Sequence, residues 1–426
     1  MAPRTAEIIA VGSELLGSTR ADTNSLYVSG RLAELGIDLR IKSVVGDERE
    51  DLATLLRQAL ERADLVVLTG GLGPTDDDLT RDVVSEVLGL PMEIDESIVA
   101  AIRARFEKRG LVMPDVNRRQ ANVPRGALVL DNPNGTAPGL FIDYSGPRGR
   151  QIVILLPGPP RELQPMFDLV CQGPLRERAG QERAYRTTLF LTGRGESHVE
   201  QLVQPIYSRW RDASPPISTT ILAAMGQIEL HLTVRETDAA RAAAILDRAR
   251  AELMAAIGGD VYSTDGRPME EVVGGLLTSR GYTIAAAESC TGGLFTSRLT
   301  DVPGSSAYVR ASVIAYAYED KTTLLGVPAE LIAAHGAVSE PVAVAMAEGI
   351  RARTKADVTV GITGIAGPGG GTPTKPVGTV VIAVIVPGQP AYVRTYSFAG
   401  GRAMVKFQAT QAALDRVRRM LADARG

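Results

Sequence analysis

The feature that most constrains this chain is a series of short apolar runs that are continuous instead of alternating. Ile8-Ile9-Ala10-Val11, Leu65–Leu68 and Ile152–Leu156 contain no polar residue. A strand with one wet face alternates apolar and polar side chains, so an unbroken Val/Ile/Leu run marks a strand covered on both faces. That is the habit of a largely parallel sheet with helices above and below it. The intervening segments fit: Ser25 to Leu35 is an amphipathic helix ending at Gly36, and Leu52 to Arg62 is another, with a strand over Ile37 to Val45 between them. Pro157-Gly158-Pro159-Pro160 stops the strand that ends at Leu156.

The pattern changes and then returns. Thr187 to Thr192 and Ile228 to Val234 are strands of partly alternating polarity, followed by a helix over Asp238 to Ile257 that closes on Gly258-Gly259. Beyond Gly266 come a helix over Met269 to Arg280, a strand at Thr283 to Ala287 and a helix after Thr291. Further strands are read at Val358 to Ile362 and Val377 to Val386, and a closing helix over Gly401 to Arg425. The fold class expected is α/β: two three-layer α/β domains with largely parallel sheets, over 1–172 and 263–426, joined by a small α+β module at 173–262. The chain has 426 residues, more than a single core accommodates, which agrees with several domains.

Composition excludes some functions. The net charge of -3 offers no basic footprint for nucleic acid. Two cysteines, Cys171 and Cys290, do not make a disulfide framework or a thiolate zinc site, and a reducing cytoplasm suits them. There is no signal-peptide pattern at the N-terminus, and no run reaches the roughly 20 apolar residues that cross a bilayer. A soluble cytoplasmic protein with no membrane partner is expected.

Two clusters carry chemistry. The loop Gly70-Gly71-Leu72-Gly73-Pro74-Thr75-Asp76-Asp77-Asp78 follows a buried strand directly and precedes a helix over Leu79 to Leu88. Glycines permit close backbone approach, and a helix N-terminus offers free N–H groups to a phosphate. The carboxylates suit a divalent ion bridging protein and phosphate oxygens, although they equally suit a helix cap. Gly12-Ser13-Glu14, at the end of the first strand, faces the same carboxyl edge, where open α/β sheets bind ligands.

The second cluster is Ala287-Glu288-Ser289-Cys290-Thr291-Gly292-Gly293, a strand turning into a helix. A serine there projects from the sheet edge with helix N–H groups behind it, and it needs a base. None of His198, His231 and His335 is placed to serve. Lys321 could, if burial lowers its pKa, although by itself it reads as a surface lysine. Cys290 is a rival nucleophile without a histidine partner. The run Gly361 to Gly371 follows another strand and is able to wrap a ligand.

Taken together, these motifs resemble the CinA family (competence/damage-inducible protein A). In the first region the resemblance rests on Val11 to Leu16, Asp22-Thr23-Asn24, Val45-Gly46-Asp47, Gly70 to Thr80, Asn117, Gln120-Ala121, Asn134 to Gly139 and Leu156 to Leu163. In the last it rests on Ala287 to Gly293, Pro303 to Ser306, Tyr316 with Lys321, Leu325 to Val327, His335 to Ser339, Thr363 to Pro368, Lys375 to Val380 and Phe398 to Arg402.

The resemblance implies a molybdopterin-binding-like first domain with metal-dependent ADP-ribose pyrophosphatase activity. Asp77, Asp78 and Glu14 would hold a divalent metal (Mg, Mn or Co), with Gly70, Gly71, Gly73 and Thr75 at the substrate. It implies a C-terminal nicotinamide mononucleotide deamidase that needs no metal. There Ser289 is the nucleophile and Lys321 the base, supported by Tyr316, Thr363 and Arg402, with Thr291, Gly292, Gly293, Gly364 and Gly367 around the substrate. The N–H groups around Thr291-Gly292 would steady the oxyanion, and Arg402 would pair with the phosphate.

The middle module resembles the family's KH-like linker, without a basic Gly-X-X-Gly clamp, and the family precedent implies a homodimer. Ser13, Asp22, Tyr318 and Gly401 depart from the family pattern. The alternatives are a first domain that binds nucleotide or pterin without hydrolysis, and a competence- or DNA-damage-associated binding protein without catalysis.

Overall fold

The structure, a computed structural model, describes residues 3–423. The chain makes two compact units, one from the chain up to Tyr185 with Arg235–Ala242, the other from Arg186–Val234 with the chain from Ala243 onward.

The first unit is built on eight strands: β1 (Thr5–Val11), β2 (Asp38–Val45), β3 (Leu65–Thr69), the short pair β4 (Met92–Ile94) and β5 (Asn122–Pro124), β6 (Leu128–Leu130), β7 (Gly139–Gly146) and β8 (Gly149–Leu156). Six of them form one sheet in the order β2-β1-β3-β8-β7-β6. β2, β1, β3 and β8 run parallel, whereas β7 is antiparallel to β8 and to β6.

The continuous apolar runs split between two cores with a period of two. Ile8, Leu65, Val67, Ile152 and Ile154 face helices Asn24–Glu34 and Pro160–Gln172. Ile9, Val66, Leu68, Val153 and Leu155 face helices Arg49–Arg62 and Thr80–Leu88. Each strand therefore needs apolar residues on both faces, which is why polar alternation is missing. β2 is the edge strand and exposes Arg40, Ile41 and Lys42.

In the second unit β9 (Arg183–Leu191), β10 (Ile217–Ala224), β11 (Gln227–Glu236) and β12 (Val261–Ser263) form a four-stranded sheet in the order β10-β11-β9-β12. A five-stranded sheet follows, from β13 (Ile284–Glu288), β14 (Val309–Ile314), β15 (Val358–Gly364), β16 (Thr379–Ile385) and β17 (Tyr392–Ser397), ordered β14-β13-β15-β16-β17. The first three run parallel, and β16 and β17 are antiparallel additions.

Helices Met269–Arg280, Leu294–Thr300 and Arg402–Asp423 cover one face through Val273, Leu277, Phe295, Val405 and Leu414. Helix Glu340–Thr354 covers the other through Val342, Met346 and Ile350. Gly361 admits that helix: a Cβ there would lie 2.2 Å from the Ala343 carbonyl oxygen. The expected α/β class with parallel-containing sheets is what the chain adopts. No helix among the described residues is long and apolar enough to cross a membrane.

Candidate active site

Ser289 stands immediately beyond β13, at the carboxyl edge of the second unit's parallel strands. Its N–H still donates to the Ile362 carbonyl at 2.9 Å, which ties it to the register of β13 with β15. The chain then turns through Gly292 (φ 60°) and Gly293 (φ 91°) into helix Leu294–Thr300. Two successive left-handed residues explain the glycine pair, since a Cβ would strain both positions.

The wholly buried Glu288 braces this turn. One carboxylate oxygen accepts the Thr291 hydroxyl at 2.7 Å and the N–H groups of Gly293 at 3.0 Å and Phe295 at 3.1 Å. The other accepts the Thr296 N–H at 3.0 Å and its hydroxyl at 2.9 Å. Glu288 thus supplies the N-terminal cap of this helix from the preceding strand. In the sequence Glu288 is part of the motif around Ser289 and has no evident role of its own. Its signal was a carboxylate followed within a few residues by the start of a helix.

Of the expected oxyanion donors around Thr291-Gly292, the Thr291 N–H lies outside this brace and the Gly292 N–H is taken by a separate contact. The Gly293, Phe295 and Thr296 amides belong to Glu288, and the Gly292 N–H donates to the Ser289 carbonyl at 3.0 Å. Among the described residues, the turn's amides without a protein acceptor are those of Cys290 and Thr291.

Lys321 comes from helix Tyr318–Leu325, which follows β14. It shares a buried face with Leu325, four residues on, while Glu319 is exposed and Asp320 half-buried. The lysine is 1% exposed, and its Nζ donates to Ser289 Oγ at 3.0 Å and to the Ala315 carbonyl at 2.8 Å. Burial pushes its pKa below the ordinary lysine value, against weaker opposing effects from Cys290 and Asp320. Cys290 is also buried, and burial raises its thiol to about 12, so it stays a protonated neighbour of the serine.

The remaining expected residues divide. Arg402 donates to the Gly367 carbonyl at 2.8 Å and to the Tyr316 hydroxyl at 2.8 Å, linking the glycine-rich loop to the segment before Lys321. The buried Thr363 hydroxyl donates instead to the Ala337 carbonyl at 2.8 Å. Gly364 keeps β15 close to β16, because a Cβ there would lie 2.8 Å from the Thr379 carbonyl oxygen. Tyr318 is exposed, and a Gly401 Cβ would meet open space among the described residues. His231 sits in the middle sheet against Thr188 and Glu229.

In the first unit, Glu14, Gly70, Gly71, Gly73, Asp77 and Asp78 line one cleft of about 470 Å³, together with Arg105, Arg109 and Arg161. The glycine loop is held from within. Asp78 accepts the Gly73 N–H at 2.7 Å, the Thr75 N–H at 2.9 Å and the Thr75 hydroxyl at 2.5 Å. Buried Arg81 donates to the Leu72 and Gly73 carbonyls at 2.7 and 2.9 Å, and burial lowers its pKa to about 10. Thr80 donates to the Gly70 carbonyl at 2.8 Å. As arranged here the residues do not fit a divalent ion, since both Asp78 oxygens brace the loop. Among the described residues, no three His, Cys, Asp or Glu side chains converge on one point.

A serine bonded to a buried lysine at one sheet edge, and a glycine-loop cleft at the edge of another, define a multidomain α/β protein with two distinct candidate sites. Residues 7–177 match the probable molybdopterin binding domain, 186–263 the damage-inducible protein CinA KH domain, and 266–421 the CinA C-terminal domain. The sequence is 46% identical over 419 residues to a CinA-like protein of Koribacter versatilis, covering 98% of this chain and 99% of that one. It is 44% identical over 417 residues to a CinA-like protein of Acidobacterium capsulatum, covering 98% and 99%. Among solved structures, the competence/damage inducible protein CihA from Agrobacterium tumefaciens is 35% identical over 36% of this chain and 93% of that chain, with a TM-score of 0.35. The chain belongs to the CinA family.

Proposed function

We propose that the Ser289/Lys321 site hydrolyses the carboxamide of nicotinamide mononucleotide to nicotinic acid mononucleotide and ammonia. The observation that carries this reading is the 3.0 Å contact between Ser289 Oγ and a lysine that is 1% exposed. Family membership supports a hydrolase in broad terms, and the specific substrate comes from the motif resemblance. In the neutral amine the direction of the contact reverses, with the hydroxyl donating to Nζ. Oγ then bonds to the carboxamide carbon as Lys321 takes its proton, and the Cys290 and Thr291 amides are available to the oxyanion. The carbon–nitrogen bond breaks as Lys321 returns that proton to the departing nitrogen. Water attacks the acyl-serine, Lys321 accepts its proton, and Oγ recovers one as the carboxylate leaves.

Ammonia release from nicotinamide mononucleotide tests this, with wild type, Ser289→Ala and Lys321→Ala each measured with and without EDTA. Activity that is insensitive to EDTA and lost in both variants is expected. A wild type without activity, or activity surviving Ser289→Ala, refutes it.

A second reading concerns the first unit's cleft, where three arginines line the wall beside the glycine loop. These guanidinium groups are suited to phosphate oxygens, although Glu14, Asp47, Asp77, Asp78 and Glu162 share the cleft, and ADP-ribose is the substrate the resemblance implies. Hydrolysis with Mg, Mn or Co would first require Asp78 to leave the loop, so no step is assigned to a metal. Calorimetric titration of ADP-ribose with and without each ion, in wild type and in Asp77→Ala/Asp78→Ala, separates binding from cleavage. No binding under any condition refutes the reading.

A further inference from the structure

The cations around the Ser289 turn are not equivalent. Lys321 is engaged by Ser289 and the Ala315 carbonyl. Two nitrogens of Arg402 are engaged by the Gly367 carbonyl and the Tyr316 hydroxyl, so this arginine already braces two loops. One more cation reaches the turn. Lys406 follows Arg402 by four residues on helix Arg402–Asp423, which places both on one face. Its Nζ stands 3.6 Å from where a Cβ of Gly292 would be. The ammonium therefore lies against the backbone just beyond the nucleophile. Lys406 is half-buried, and among the described residues neither a carboxylate nor a hydrogen-bond acceptor takes up its ammonium.

A half-exposed ammonium without a protein counter-charge keeps its contact with solvent and is free to meet an anionic ligand that approaches the turn. The acid nearest in sequence to this turn, Glu288, is committed through both oxygens to five donors and offers Lys406 nothing. The chemistry that fits this ammonium is an anion carried by the substrate. A nucleoside monophosphate carries one, separated from its reacting ring by the ribose.

Building on the deamidase reading, we propose that Lys406 binds the substrate's phosphate beside Gly292, and that Arg402 is a positioning residue that holds Tyr316 and the Gly367 loop. This reassigns the phosphate contact expected of Arg402. Gly292 is required here by its left-handed backbone (φ 60°), and its bare Cα leaves the ammonium in contact range of the turn. Selectivity for a nucleotide over its nucleoside then resides in a residue that does not touch Ser289.

The test is steady-state ammonia release by the full chain with Lys406→Ala and Lys406→Arg, together with competition by inorganic phosphate. Loss of one charge-assisted contact raises KM for nicotinamide mononucleotide roughly 10- to 100-fold in Lys406→Ala, with kcat within about threefold of wild type. Lys406→Arg restores most of the affinity. Inorganic phosphate inhibits wild type competitively and Lys406→Ala much less. An unchanged KM, or a fall in kcat at constant KM that marks an oxyanion role, overturns the assignment while leaving the deamidase intact. A wild type that neither turns over nor binds the nucleotide overturns both.

Discussion

Replacing Glu288 by Gln tests whether the nucleophile's turn is built as described. The two side chains have the same shape, so no cavity forms and only the hydrogen-bond chemistry changes. Three of the five donors at Glu288 are backbone N–H groups and two are hydroxyls. The glutamine amide group has to face one side of the cap. Turning it toward Thr296 is the lesser loss, because that hydroxyl can rotate to accept while a single N–H is stranded. A stranded buried donor costs about 1–3 kcal/mol. The three bonds that remain lose their ionic character, and charge-assisted bonds are roughly twice as strong as neutral ones. Together these effects come to about 3–5 kcal/mol on the scale of single hydrogen bonds. For a unit of this size each kcal/mol moves Tm by about 2–4 °C, so a downward shift of roughly 10 °C is expected. Scanning calorimetry of wild type and Glu288→Gln reads the shift, and ammonia release reads the displacement of the adjacent Ser289. A Tm change within about 2 °C would refute the view that this carboxylate holds the turn.

Three further outcomes follow from the same geometry. Burial lowers the Lys321 pKa, so kcat/KM should rise with pH as this proton leaves, with a midpoint below 10.5, and Lys321→Met should lose roughly 10³-fold in rate. The folded state binds that proton more weakly than the unfolded chain, so the lysine destabilises the fold below its folded-state pKa and is relieved as pH rises. The Tm gain of Lys321→Met should therefore be largest near pH 6 and shrink toward alkaline pH; a gain independent of pH contradicts this. Cys290→Ala should keep activity within about threefold and lose about 1 kcal/mol of stability, and iodoacetamide should leave wild type active, because burial raises the thiol to about 12. Rapid inactivation by the reagent would show a thiolate instead. Asp78→Ala should lower the first unit's stability by about 1–2 kcal/mol even in EDTA, because the carboxylate anchors the Gly73 and Thr75 amides. A Tm that changes only when metal is present would assign Asp78 to an ion.

How much was legible in the sequence follows from the range of each interaction. The runs Ile8–Val11, Leu65–Leu68 and Ile152–Leu156 declared strands with two apolar faces, and those strands form the centre of the first sheet. Helix Met269–Arg280 was legible from its local periodicity. β7 and β17 were not anticipated. β7 is buried only over Gly139–Ile142 before it turns polar at Asp143 and Ser145, and β17 is an edge strand with no buried residue, so neither shows a long apolar run.

The candidate sites divide the same way. The motif around Ser289 and the loop at Gly70 are contiguous, and local chemistry such as left-handed glycines and a helix start is written in adjacent residues. By itself the sequence therefore determined the α/β class and the two strand-to-helix turns at which chemistry is concentrated. The environment of Lys321 is not written locally, because it depends on β13, the Ala315 carbonyl and Leu325 closing over a residue that directly follows two acids. Tertiary structure alone decided that this lysine is dry and meets Ser289, that Glu288 takes the helix amides, and that Lys406 reaches Gly292. The physical reason is that desolvation and hydrogen-bond partnership belong to the packed environment, and that environment exists only once segments distant in sequence have met.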